Sequence, residues 1–200
     1  MEATENKKIL DKVVDALRKA AVEIEEVQVQ AALGKAEARD KFEDVKQKFN
    51  TFVHDSKMKY EEGREKVDEV HAKIDELRVQ LNLGKAETTE MFNEQKTKLL
   101  AALHELEVKI KTNETLNRIY SYVLIEIDMF KVQLEILESE YEDRKESVKS
   151  SFEKGKSEFN QFIEDFKSKY SKKEEPTQFE HFQSEVSEAF SHLKNAFKKA

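Results

Sequence analysis

Among the side chains able to do chemistry, the nearest approach to a metal-ligand pair is Asp68-Glu69-Val70-His71. Carboxylate-bridged dimetal centres in helical bundles need Glu-x-x-His pairs on two helices and an inward-facing Glu on each of two more. Here one acid precedes one His at that spacing, and His54, His104, His181 and His192 have no acidic residue three positions earlier. The expected role of these histidines is solvated or at the rim of a core. The chain has no Cys, which removes thiolate ligands, thiol nucleophiles and disulfides together. No Ser, His and acid combination stands out as a hydrolytic triad. The sequence Leu-Gly-Lys-Ala-Glu occurs at 33–37 and again at 83–87, but lacks the Gly-x-x-x-x-Gly-Lys-Ser/Thr spacing that wraps backbone amides around phosphate. No catalytic residue, cofactor or metal ligand is expected, and the chain reads as a non-enzyme.

The elements that would carry any site are helices. Four Gly and one Pro interrupt 200 residues, too few for a turn-rich sandwich or an alternating α/β fold. Charged residues make up 38%, yet Leu, Ile, Val and Phe account for 52 positions, above the range of intrinsic disorder. Acidic and basic residues are interspersed around a net charge of -7, so a nucleic-acid footprint is not expected.

A repeat of about fifty residues organises the chain. Val29-Gln-Ala-Ala-Leu-Gly-Lys-Ala-Glu37 returns as Val79-Gln-Leu-Asn-Leu-Gly-Lys-Ala-Glu87, and more weakly as Val132-Gln-Leu-Glu-Ile-Leu-Glu-Ser-Glu140. Because the third copy has Leu137 where the first two have Gly34 and Gly84, and a left-handed turn does not accept Leu, all three are assigned to helix interiors. Apolar residues at alternating three and four spacing run through each copy, as in a coiled coil. The expected fold is all-α: an elongated antiparallel three-helix bundle, spectrin-like in shape only, with helices over about 5–56, 62–111 and 114–170. Turns are expected near Lys59, beside Gly63, and near Ile110-Lys111, where Thr112-Asn113-Glu114-Thr115 suits an N-cap. Gly34, Gly84 and Leu137 would then form one central packing layer, a large side chain filling the space left by two glycines. A single continuous helix in an intermolecular coiled coil is the competing architecture.

Residues 1–170 are thus one domain, 171–176 a charged linker, and 177–199 a short amphipathic helix opened by the capping box Thr177-Gln-Phe-Glu180. Its stripe of Phe179, Phe182, Val186, Phe190, Leu193 and Phe197 is expected to dock on the end of the bundle. A second stripe on the third helix, Tyr122, Ile125, Met129, Val132 and Ile136, lies nearly opposite the main seam. Its interleaved charges rule out a membrane span. A symmetric dimer would bury this face, or the C-terminal helix or a rotated first helix would cover it.

Two functions follow as expectations. The first is a structural scaffold that mediates protein-protein contact and self-associates as a homodimer or with another protein. The second is a membrane-surface binder that opens its bundle onto lipid, similar to exchangeable apolipoproteins in composition and periodicity alone. The N-terminal residues show no signal-peptide pattern, so the cytoplasm is the default compartment, with export open if a leader has been removed.

Overall fold

A computed structural model describes the backbone of residues 2–58, 65–142, 145–170 and 179–198, and the side chains of 11–58, 66–142, 152–170 and 183–195. The described residues are helical with no strand, in the order α1 (Glu2–Ala31), α2 (Lys35–Met58), α3 (Glu65–Leu81), α4 (Thr89–Lys111), α5 (Glu114–Ile119), α6 (Ser121–Tyr141), α7 (Lys145–Tyr170) and α8 (Phe179–Lys198).

Each helix expected to run about fifty residues is in fact a hairpin of shorter ones, α1–α2, α3–α4 and α6–α7, the last preceded by the short α5. The first breaks at Gly34, whose φ of 150° lies in a region that side chains avoid, and whose carbonyl accepts the first bond of α2 from the Ala38 amide at 2.9 Å. The second breaks over residues 82–88, where the Thr88 hydroxyl caps α4 by accepting from the Met91 amide at 3.2 Å. The third breaks after Tyr141, five residues beyond the position aligned with the glycines. Leu137 can therefore stay helical and buried while Gly34 sits at a turn and Gly84 is exposed in a loop. The central layer of Gly34, Gly84 and Leu137 is not formed.

The two glycines also differ in need. A Cβ on Gly34 would carry the strain of its φ and meet the Glu37 carboxylate at 3.0 Å, whereas a Cβ on Gly84 would meet nothing within 4 Å. Gly34→Ala is expected to lower unfolding free energy by about 1–3 kcal/mol and Gly84→Ala to leave it unchanged, read by urea denaturation. Equal losses at the two sites would contradict this assignment.

Ion pairs fix the directions. Lys41 meets Glu26 across α1 and α2, Lys57 meets Asp75 across α2 and α3, and Lys73 meets Glu105 across α3 and α4, at 2.6–2.7 Å. Lys96 reaches Glu138 across α4 and α6 at 2.8 Å, and Arg18 reaches Glu164 across α1 and α7 at 2.8 Å. Phe159 packs on Phe190 across α7 and α8 with ring centroids 4.9 Å apart. Successive long helices thus alternate up and down. The second turn falls where expected, with the Asn113 side chain capping α5 through the Leu116 amide. The reversal expected near Lys59 and Gly63 is consistent with the antiparallel α2 and α3, but those residues, linker 171–176 and Thr177 lie outside the described residues.

Two four-helix rings share one member. Helices α2, α3, α4 and α6 close one ring, and α1, α6, α7 and α8 close the other. Serving both cores, α6 must be apolar on both sides, and this is the origin of its second stripe. Ile125, Met129, Val132 and Ile136 are buried and Tyr122 is half-buried inside this single chain. Instead of docking on the end of a rod, α8 lies along α6 and α7 with Val186, Phe190 and Leu193 buried. The side chains of Phe179, Phe182 and Phe197 lie outside the described residues.

Candidate functional site

The up-and-down order brings the turns of all three hairpins to one end, where polar contacts tie them together. Lys85 of the second turn pairs with Asp40 at the start of α2 at 2.7 Å, and Arg39 approaches Glu87 at 3.9 Å. The Lys85 ammonium is held above its ordinary value by the hydrogen bond to Asp40. From the third hairpin the Tyr141 hydroxyl donates to the Ala86 carbonyl at 3.1 Å, and the Tyr141 carbonyl accepts from the Thr89 hydroxyl at 3.3 Å. Burial pushes the Tyr141 phenol up to about 12, so it stays a donor throughout the accessible pH range.

Beneath the tips, rings from all three hairpins pack together, with Tyr141 stacked on Phe92 and Phe42 edge-on to it. Phe92 lies 4.8 Å from Phe42 and 4.3 Å from Tyr141, centroid to centroid. Against this layer stands Lys46, with none of its surface exposed. Its ammonium donates to the Leu83 carbonyl at 3.0 Å and the Gln95 side-chain oxygen at 2.9 Å, pairs with Glu43 at 2.9 Å, and sits 4.7 Å from the Phe42 centroid. Gln95 in turn donates to the Gly84 carbonyl at 2.6 Å. Three backbone carbonyls of loop 82–88, at Leu83, Gly84 and Ala86, are thus satisfied by side chains from three helices.

Three large apolar side chains near the tips meet solvent among the charged ones. Val29 and Leu33 on α1 are 51% and 65% exposed, and Val79 on α3 is 63% exposed. Val29 and Val79 are the same position of the repeat, as are Gln30 and Gln80, Lys35 and Lys85, and Glu37 and Glu87. The shared sequence adopts different backbones, Lys35-Ala36-Glu37 opening a helix and Lys85-Ala86-Glu87 lying in a loop. Neither core packing nor a common turn geometry accounts for identity at these exposed positions.

Of the residues singled out in the sequence, the α6 stripe is brought together but faces inward, and Val186, Phe190 and Leu193 of the α8 stripe are docked. The sequence reading missed Lys46, Gln95 and Tyr141 as anchors of the tips. Lys46 follows Val45 and precedes Phe49 in the buried seam, and this adjacency was the available signal. Also missed were Glu126 and Asp128, read only as barriers to membrane insertion. A helix buried on every side leaves its carboxyls partly desolvated, and burial raises Glu126 to about 7 and Asp128 to about 6.

Among the described residues no three His, Asp or Glu side chains gather as a metal site, and no helix is long and apolar enough to cross a membrane. Compared with protein-family models, with curated proteins and with solved structures, the chain matches none of them.

Proposed function

We propose that this chain is a non-enzymatic scaffold whose joined hairpin tips contact other proteins, a second copy of itself first among them. The observation that carries the reading is the repetition of Val29, Lys35 and Glu37 as Val79, Lys85 and Glu87, all at exposed positions that neither packing nor turn geometry dictates. Exposed Val29, Leu33 and Val79 supply apolar area, and the bordering Lys and Glu residues supply charges of both signs, so two copies of the surface can complement each other. The Lys46 and Tyr141 anchors hold the surface in a fixed shape, which lowers the ordering cost of binding.

Light scattering across a hundred-fold range of protein concentration tests this. The wild-type mass is expected to rise above that of one chain, and Leu33→Ser with Val79→Ser to stay at one chain with an unchanged melting temperature. A wild-type mass of one chain throughout, or a double variant that associates like wild type, overturns self-association through the tips.

The second reading, binding to a lipid surface, draws its support from α8, whose Val186, Phe190 and Leu193 are buried against α6 and α7 and would be available if the helix swung out. Co-sedimentation with anionic vesicles that is lost on deleting residues 177–200 would favour it over the scaffold.

A further inference from the structure

Away from the tips, α1, α2 and α6 enclose an open groove with a cavity volume of about 590 Å³, within the usual size range of small-molecule sites. Its floor is apolar, built from Val27, Val45, Phe49 and Met129, all buried. Its rim is held by a chain of charges: Lys41 bridges Glu26 at 2.6 Å and Asp44 at 3.0 Å, and Lys48 joins Asp44 at 3.2 Å. This network keeps α1 and α2 at a fixed separation over the floor.

Two polar groups on the α6 wall are left over. Gln133 is only 5% exposed and lines the cavity, yet its amide makes no hydrogen bond with any described residue. The amide opens onto the groove rather than being sealed in the core, so a ligand or water can reach it. Glu126 lines the same cavity with no hydrogen bond, and its nearest cation is Lys19 at 3.9 Å, which also pairs with Glu23 at 3.3 Å. Its carboxyl is accordingly under-neutralised, and burial is the main cause of its raised affinity for a proton. The lining as a whole holds five carboxylates against three lysines. Glu126 and Gln133 are two helical turns apart on one face, about 10 Å, with Met129 between them.

We infer that this groove binds an amphipathic amine, its ammonium on Glu126, its apolar body over Met129 and Phe49, and a hydrogen-bonding group at its far end meeting the Gln133 amide. One end of such a ligand meets a carboxylate that only the distant Lys19 serves, the other meets an amide with no protein hydrogen bond, and its middle covers the apolar floor. An anionic ligand is disfavoured by the surplus of carboxylates, and a purely apolar one leaves Glu126 and Gln133 as they were.

Tryptamine is a suitable probe because the chain has no Trp, so indole emission reports the ligand alone. Its anisotropy is expected to rise saturably on adding protein. Glu126→Gln, which removes a partly buried charge and keeps the side-chain shape, should weaken binding at least ten-fold. Neutral 3-ethylindole should bind at least ten-fold more weakly than tryptamine, and Gln133→Leu should weaken an amine bearing a terminal hydroxyl more than it weakens tryptamine. Methionine-methyl NMR supplies an independent readout, with Met129 shifting on titration and Met58 and Met91 unmoved. No saturable binding, equal binding by Glu126→Gln or by 3-ethylindole, or a titration that leaves the Met129 methyl in place overturns the assignment.

Discussion

Replacing Lys46 by Ala should cost about 3–5 kcal/mol, the range seen when one partner of a buried ion pair is removed. The ammonium serves the Leu83 carbonyl, Gln95 and Glu43 together, so its loss strands a carboxylate and two oxygen acceptors beside the aromatic layer. For a chain of 200 residues this corresponds to a fall in melting temperature of about 10 °C or more. Lys46→Met, which keeps most of the stem over Phe42, should lose less than Lys46→Ala, and the difference measures the packing of the stem. Hydrogen exchange gives a local readout, since loop 82–88 should lose protection before the helices do. A loss under about 1 kcal/mol for Lys46→Ala would show that the ammonium is not what holds the loop.

Asp128→Asn should act in the opposite sense, and only at neutral pH and above. Desolvation between α6 and its neighbours raises this carboxyl to about 6 from an ordinary value of 3.8, with Lys131 and Lys111 opposing the shift and Glu107 reinforcing it. Since the folded state holds the proton more tightly than the unfolded chain, the carboxyl contributes stability that is complete below about pH 4 and lost as pH rises through 6. The rise from 3.8 to about 6 corresponds to about 3 kcal/mol at most, and relaxation and water access reduce this to about 2 kcal/mol. The variant should therefore be about 2 kcal/mol more stable than wild type at pH 8 and equal to it at pH 4, by urea denaturation at each pH. Asn keeps a polar atom for Ser187, which faces Asp128 from α8. An identical difference at both pH values would exclude titration of Asp128 as the cause.

The helical class, the fifty-residue period and the turn at Thr112-Asn113 are legible in the sequence because each rests on local chemistry: few breakers, a repeated stretch and an N-cap. Helix length is not. A three-four seam continues on paper through Ala31 and Ala38 whether the chain runs straight or doubles back, because both arms of a hairpin need an apolar stripe. Leu137 aligns with the two glycines yet says nothing of their geometry, because aligned positions need not share a backbone conformation. The third hairpin turns five residues later than its alignment suggests, and of the two glycines only Gly34 has positive φ. Thr88, four residues after Gly84, is the N-cap that reveals the second break. The doubled apolar face of α6 was visible, but which neighbours cover it depends on contacts between elements far apart in the chain. The candidate tip surface was visible as a repeat and invisible as a surface, because exposure of Val29 and Val79 follows from the hairpins.

The shared helix also sets an order of assembly. The two hairpins that α6 must join, α1 with α2 and α3 with α4, are complete by Lys111, before α6 begins at Ser121. During synthesis the first two hairpins emerge without the wall that both rings require, and their apolar seams stay solvent-facing until α6 leaves the ribosome. The ring of α2, α3, α4 and α6 has all its members once Tyr141 is made, whereas the ring of α1, α6, α7 and α8 waits for Lys198, so a nascent chain paused before α6 is where this protein most needs a chaperone.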